Sequence, residues 1–210
     1  HHHAFGAWGE SRWSSPETLE YYFGEVGNVE TAVKRTQKMQ AVGYKGAFEE
    51  ARRQWPYCSM AINWCFNEPW ITAANNSLME YPFKKKPAYY AVRDSLRSVL
   101  ASARIPKFDF KEGEIFSSEI WLLNDSNECV QRKITAYLTV GNETYELLTW
   151  NSGEVKERTN KIGPTLRMIL PESDSDEITL TLKTDKGEEN SYTLLLKHEK
   201  HEQTKKILNM

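Results

Sequence analysis

The chain has 210 residues, and its 27 Lys and Arg residues nearly balance its 29 Asp and Glu residues, which gives a formal net charge of −2. No sustained basic stripe is present, so the sequence predicts no nucleic-acid partner. No run approaches the roughly 18 consecutive apolar residues of a membrane-spanning helix, so no membrane span is predicted either.

Two helices are predicted first. Residues 15–17 combine a capping serine, a proline suited to the first helical position and an acid at the positive end of the helix dipole, and Gly24 follows. They predict a short helix over about residues 17–23. A longer helix is predicted from Asn28, because one face repeats at helical spacing. The positions on that face are Val33, Gln37, Ala41, Tyr44, Phe48 and Ala51.

A strand and a third helix are predicted next. Residues 58–66 form a run that is apolar on both faces, which is typical of a parallel strand covered on both sides. The Lys86-Pro87 pair opens a helix with an apolar stripe. That stripe is predicted at Tyr89, Val92, Leu96, Val99 and Leu100. Helix, strand, loop and helix in this order indicate an α/β fold.

From about residue 105 onward, apolar side chains recur with a period of two, which predicts β-strands. The pattern occupies residues 115–122, 134–140, 178–182 and 192–196. About seven short antiparallel strands in about 95 residues fit an immunoglobulin-like β-sandwich. The sequence thus predicts an α/β region over residues 1–102, a sandwich over 103–197 and a frayed polar tail over 198–210.

Polar and aromatic residues follow the predicted strand directly. In barrel enzymes the carboxyl end of a strand carries the substrate-binding groups. Two indoles, an amide and a carboxylate suit a sugar, whose apolar face stacks on aromatic rings while its hydroxyls form hydrogen bonds. The predicted binding residues are Trp64, Asn67, Glu68 and Trp70, gathered at one end of the strand with Trp64 at least partly accessible. The alternative is that both indoles pack beneath the loop over residues 71–85 and that Glu68 points into solvent.

The motif Trp64-x-x-Asn67-Glu68-x-Trp70 is followed by Glu80-Tyr81 and by Lys86-Pro87-Ala88-Tyr89-Tyr90. This series resembles the eighth barrel strand and the next helix of glycoside hydrolase family 2, in particular its β-mannosidase, exo-β-glucosaminidase and β-galactosidase-like members. The chain departs from the family pattern at Glu68, where Asp is usual, and at Ile71, where Pro is usual.

The resemblance implies the last strand and helices of a (β/α)₈ TIM barrel, followed by an immunoglobulin-like sandwich. It also implies a retaining exo-β-glycosidase that acts on terminal β-linked sugars. Trp64 would line the subsite of the reacting sugar, Asn67 and Glu68 would contact its edge, and Trp70 would form a wall. The implied partners are a carbohydrate substrate and further amino-terminal domains of a parent chain. The family resemblance favours a periplasmic or secreted location and implies no cofactor.

The catalytic pair is expected before residue 1. Retaining hydrolysis uses two carboxyl groups about 5 to 5.5 Å apart. If Glu68 were the acid, a second Glu would have to follow on a later barrel strand, but one helix and then alternating strands follow. Glu10 is another candidate, but no apolar strand precedes it. We therefore expect this polypeptide alone to be inactive.

Other readings of the sequence remain open. The sandwich could be a non-catalytic carbohydrate-binding or interdomain module, although Trp121 and Trp150 are single aromatics of the kind that usually pack in a core. The leading residues 1–3 are either native histidines or the stub of a purification tag. No metal site is predicted, since the three cysteines lack metal-ligand spacing. Cys58 and Cys65 are predicted to be buried as small apolar side chains.

Overall fold

The computed structural model describes residues 16–72 and 75–198. The chain divides into two compact units between Arg97 and Ser98. The predictions made for residues 1–3 and Glu10 and for the tail beyond residue 198 lie outside the described residues. Among the described residues, no helix is both long and apolar enough to cross a membrane.

The first unit contains three described helices and a small hairpin. The helices are α1 (Pro16–Phe23), α2 (Val29–Arg53) and α3 (Pro87–Ser95), and the antiparallel strands of the hairpin are β1 (Met79–Glu80) and β2 (Lys84–Lys85). This confirms both helices that were predicted before residue 55.

Helix α2 begins and packs as its sequence predicts. Asn28 has an extended backbone, and its side-chain oxygen accepts a hydrogen bond from the backbone N–H of Thr31 at 2.9 Å. A small core then forms around the side chain of Phe48, which packs in one cluster with Leu78, Ala88 and Val92. Ala41 and Tyr44, from the predicted face of α2, lie against the same cluster.

The predicted strand over residues 58–66 is wrong as a strand. The segment is irregular, and the side chains of Met60, Ile62 and Phe66 are 70%, 82% and 58% exposed. A strand needs a neighbour to satisfy its backbone groups, and among the described residues no strand pairs with residues 58–64; Cys65 O and Phe66 O accept from the backbone of residues 78 and 79 without forming a regular ladder. For the same reason Cys58 and Cys65 are half-buried rather than buried.

The third helix is shorter than predicted. It ends at Ser95, and the buried positions on it are Ala88, Val92 and Ser95, which recur every three to four residues. The stripe was expected to continue through Leu96 to Val99 and Leu100. Instead, Leu96 is 54% exposed, and the chain becomes extended from Val99 onward because its backbone groups pair with another strand.

The described part of the second unit, residues 98–198, contains eight strands. They are β3 (Val99–Arg104), β4 (Asp109–Lys111), β5 (Ile115–Asn124), β6 (Lys133–Val140), β7 (Glu143–Asn151), β8 (Thr159–Ile169), β9 (Glu177–Thr184) and β10 (Glu189–Lys197). One sheet has the order β4-β10-β9-β6-β7 and the other has the order β3-β5-β8. Every pairing is antiparallel except that of β4 with β10.

Alternate side chains from both sheets form one core. Phe116, Ile120 and Leu122 of β5 are fully buried, as are Leu138 of β6 and Leu180 of β9. Each such side chain contributes about 1.5 to 3 kcal/mol by leaving water. The period of two in the sequence therefore predicted β5, β6, β9 and β10 correctly, and the two sheets pack face to face as a sandwich.

The end of strand β10 is held by His198, a residue that was predicted to begin the frayed tail. His198 Nδ1 lies 2.8 Å from Glu112 Oε1, and His198 Nε2 lies 3.2 Å from Asp176 Oδ1. Residue 198 thus belongs to the sandwich, in contrast to the predicted start of the frayed tail.

Candidate functional site

The segment with the predicted binding residues is held by backbone hydrogen bonds to strand β1. The N–H groups of Leu78 and Met79 each donate to Phe66 O at 3.0 Å, and Glu68 N–H donates to Met79 O at 3.1 Å. The peptide bond between Trp64 and Cys65 is cis. The hydrogen bonds fix the backbone of residues 65–68, although these residues form no regular strand.

Three of the four predicted side chains lie on the surface of the first unit. Trp64 is 76% exposed and Trp70 is 67% exposed, and Asn67 is exposed beside them in sequence. Trp64 was predicted to be accessible, and the structure confirms its accessibility. The alternative in which both indoles are buried beneath the loop over residues 71–85 is wrong.

Glu68 lies apart from these three side chains, in the interior. Its side chain is 3% exposed, and its Oε1 lies 2.9 Å from Lys86 Nζ and 3.2 Å from Ser77 Oγ. Its Oε2 accepts a hydrogen bond from the backbone N–H of Tyr81 at 3.4 Å. The carboxylate is therefore an internal ion-pair partner, not a group in solvent.

The Lys86 ammonium has three protein partners. Besides Glu68, it donates to Ser77 Oγ at 2.9 Å and to the backbone oxygen of Asn75 at 3.0 Å. From the sequence, Lys86 was predicted as part of a helix start and of the family motif, without an ion-pair partner, and Ser77 was not singled out. A signal was available, because Lys86 is the N-cap residue of α3, where a positive charge opposes the helix dipole. A lysine at that position indicates a nearby acid.

Glu80 joins the hairpin to helix α2. Gln37 Nε2 donates to its Oε1 at 2.9 Å, and Lys84 Nζ lies 3.0 Å from its Oε2. Partial burial opposes ionisation of this carboxyl, but the hydrogen bonds from Lys84 and Gln37 together lower the pKa of Glu80 below its ordinary value. The pair Glu80-Tyr81 in the sequence motif thus marks a junction of α2 with the hairpin.

The sandwich offers no comparable group of exposed aromatic side chains and polar residues in its described part. Trp150 packs against the sandwich core and lies over Gly163, as the packing interpretation of this residue predicts. Across residues 16–72 and 75–198, no three His, Cys, Asp or Glu side chains are grouped so that they could hold a metal ion.

Comparison with known proteins identifies relatives of one kind. No family model matches the chain. β-Mannosidase B of Neosartorya fischeri is 27% identical over 140 residues, and β-mannosidase B of Aspergillus clavatus is 28% identical over 140 residues. Both matches cover 62% of this chain, and the chain spans only about 15% of the length of these curated relatives.

Solved structures show the same relationship at the level of fold. The β-D-mannosidase of Dictyoglomus thermophilum matches with a TM-score of 0.62 at 18% identity, over 85% of this chain and 21% of that enzyme. The exo-chitosanase CsxA of Amycolatopsis orientalis matches with a TM-score of 0.61 at 15% identity over the same shares. The chain is therefore similar in sequence to part of the β-mannosidases B, and its fold is similar to part of these two solved enzymes.

Proposed function

We propose that this chain is part of a retaining exo-β-glycosidase of the β-mannosidase type and that it supplies one wall of the sugar pocket. Trp64, Asn67 and Trp70 form that wall. The observation that carries the proposal is the pair of largely exposed indoles on a backbone held by hydrogen bonds. The names of the relatives supply the substrate class, a β-mannoside.

The chemistry of the two indoles suits this role. An indole face is apolar and electron-rich, so it stacks on the C–H face of a sugar ring. The exposed amide of Asn67 carries both donors and an acceptor, which match a sugar hydroxyl. Backbone hydrogen bonds fix Phe66 and Glu68. The backbone next to the two indoles and the amide is therefore already ordered, and sugar binding costs little backbone entropy.

The exposed apolar side chains of residues 58–66 support the proposal that other parts of a larger protein surround this site. Met60, Ile62, Trp64 and Phe66 are each more than half exposed, and contiguous apolar surface of this kind marks a contact site. We propose that residues 58–66, which are irregular in this chain, pair with neighbouring strands in the parent enzyme and there form the last strand of a (β/α)₈ barrel. Under this proposal the first unit belongs to the barrel and the second to an immunoglobulin-like sandwich, with the division between Arg97 and Ser98 instead of the predicted division between residues 102 and 103.

The reaction itself is assigned to two carboxyl groups outside the described residues. One would attack the anomeric carbon, while the other would protonate the leaving oxygen and later activate water. No metal or organic cofactor is needed for this displacement. The contribution of this chain is to hold the sugar ring in place, which lowers the entropic part of the barrier.

Hydrolysis assays test the proposal directly. The complete enzyme that contains this chain is expected to release nitrophenol from an aryl β-mannoside, β-glucosaminide or β-galactoside, with the β-anomer as first product by NMR. The 210-residue chain alone is expected to be inactive. Turnover by the chain alone that is lost in Glu68→Gln would mean that Glu68 is catalytic, which contradicts the assignment.

A further inference from the structure

We propose that Glu68 is a positioning residue rather than a sugar contact. With Lys86 and Ser77 it forms a buried group, here called the ionic clamp, that sets the placement of Trp64 and Trp70. The inference rests on the proposed role of the two tryptophans in binding sugar, and it changes the role that sequence resemblance implies for Glu68.

The ionic clamp has no free hydrogen-bond donor on Lys86 for a ligand. An ammonium group has three N–H donors, and here they meet Glu68 Oε1, Ser77 Oγ and Asn75 O at 2.9 to 3.0 Å. The side chains of Glu68 and Lys86 are 3% and 6% exposed. A sugar hydroxyl therefore cannot reach the carboxylate without displacing a buried partner, and leaving either charge unpaired inside the protein is strongly unfavourable.

The ionic clamp connects three pieces of backbone. Glu68 belongs to the segment with the tryptophans, and its Oε2 accepts from the backbone of Tyr81 in the hairpin. Lys86 is the N-cap of α3, and its backbone N–H donates to Leu78 O at 3.0 Å. One carboxylate thus joins the segment, the hairpin and the start of α3.

Glu68 lies close in sequence to both tryptophans, which explains how it sets the placement of both indoles. Trp64 precedes Glu68 by four residues and Trp70 follows it by two, so a displacement of Glu68 moves both rings. A misplacement of a substrate by about 1 Å can reduce turnover by about a hundredfold. The ionic clamp therefore acts on catalysis through the stacking surface and not by contact with the sugar.

Three variants of the complete enzyme test the proposal on an aryl β-mannoside. Glu68→Gln leaves the Lys86 charge unpaired, Lys86→Met leaves the Glu68 charge unpaired, and the double variant removes both charges. We expect each single variant to lower kcat/KM by about 10- to 100-fold, and the double variant to be no worse than either single variant, since it buries no lone charge. Lys34→Met is the control, because its pair with Glu30 is exposed.

Two other outcomes would overturn the proposal. Wild-type kinetics in Lys86→Met beside a loss of turnover in Glu68→Gln would show that Glu68 touches the sugar, which overturns the proposal. A lower Tm with unchanged kcat and KM in both single variants would also overturn it, since the ionic clamp would then only stabilise the fold.

The proposed function can fail separately from the ionic clamp. If the complete enzyme hydrolyses none of the β-glycosides, the glycosidase assignment fails and the positioning role fails with it. The clamp as a structural unit is then judged by the Tm of the 210-residue chain, where the double variant is expected to recover part of the loss seen in each single variant. Additive losses would show that Glu68 and Lys86 do not act as a pair.

Discussion

Gly163 in β8 has no side chain and so leaves room for the indole of Trp150 in the sandwich. A Cβ added there would lie 2.7 Å from two ring carbons of Trp150, which is too close for any real contact. We predict that Gly163→Ala displaces the indole and lowers the free energy of unfolding by about 1 to 3 kcal/mol. Thermal unfolding followed by circular dichroism measures this effect.

Gly46 in α2 provides the matched control. A Cβ added there meets no atom within 4 Å, so Gly46→Ala is expected to stabilise the helix by about 0.5 to 1 kcal/mol. An unchanged or raised Tm in Gly163→Ala would contradict the packing of Trp150 over this glycine.

His198 makes the stability of the sandwich depend on pH. The hydrogen bond to Glu112 is the main cause that raises the pKa of His198 above 6.5; partial burial opposes the rise, and Asp176 adds to it. A raised pKa means that the folded state favours the protonated form. The stabilisation is therefore complete below the unfolded-state pKa and is lost as the pH rises through the raised folded-state pKa.

A His198→Asn variant measures this contribution. We predict that the difference in Tm between the native chain and the variant is large at about pH 5.5 and smaller at about pH 9. Other histidines cancel in this difference because both proteins carry them. A difference that grows with pH would show that the neutral imidazole is the stabilising form.

Helix α2 is stabilised by its N-cap residue Asn28, where the sequence predicts that the helix begins. Asn28 satisfies the N–H of Thr31, so Asn28→Ala leaves that donor without its side-chain partner. The expected loss is about 1 kcal/mol in the free energy of unfolding, measured by urea denaturation. Asn28→Asp keeps the acceptor oxygen and is expected to retain the native stability; a loss as large as that of Asn28→Ala would contradict the capping role.

Local patterns were sufficient to predict α1, α2 and the sandwich strands β5, β6, β9 and β10. The side chains of β5 alternate between core and surface, and those of α2 repeat at helical spacing, so each element carries its own signal. Residues 58–66 carry a strand signal without a pairing partner, and the end of α3 depends on the pairing of Val99 with β5. Both errors concern hydrogen bonds between segments distant in sequence, which composition does not encode.

The candidate site was predictable only in part for the same reason. Trp64 lies near the end of an apolar run, and that position predicted that its side chain is accessible, whereas the exposure of Trp70 was not predicted. The partners of Glu68 lie 9 and 18 residues further on, at Ser77 and Lys86. No periodic pattern relates such positions, so the burial of the Glu68 carboxylate emerged only from the structure.

At the scale of the whole molecule, the exposed segment 58–66 predicts self-association of the isolated chain. Ile62 is 82% exposed next to other large apolar side chains, and such surface tends to be covered by a second molecule. Analytical ultracentrifugation is expected to show species larger than the monomer as concentration rises. Ile62→Ser should reduce them, whereas Ile169→Ser in the sandwich should not. Equal behaviour of the two variants would contradict a contact through this segment.

Sugar binding by Trp64 in a glycosidase, as proposed above, is tested most directly by one comparison in the complete enzyme. Trp64→Ala and Trp150→Ala each remove one indole, and both kcat/KM on an aryl β-mannoside and Tm are measured for each. We predict that Trp64→Ala lowers kcat/KM by about 10- to 100-fold with a nearly unchanged Tm, because stacking positions the substrate. Trp150→Ala should lower Tm and leave kcat/KM unchanged, because its indole packs against the sandwich core. Native kinetics with a lowered Tm in Trp64→Ala would contradict the account.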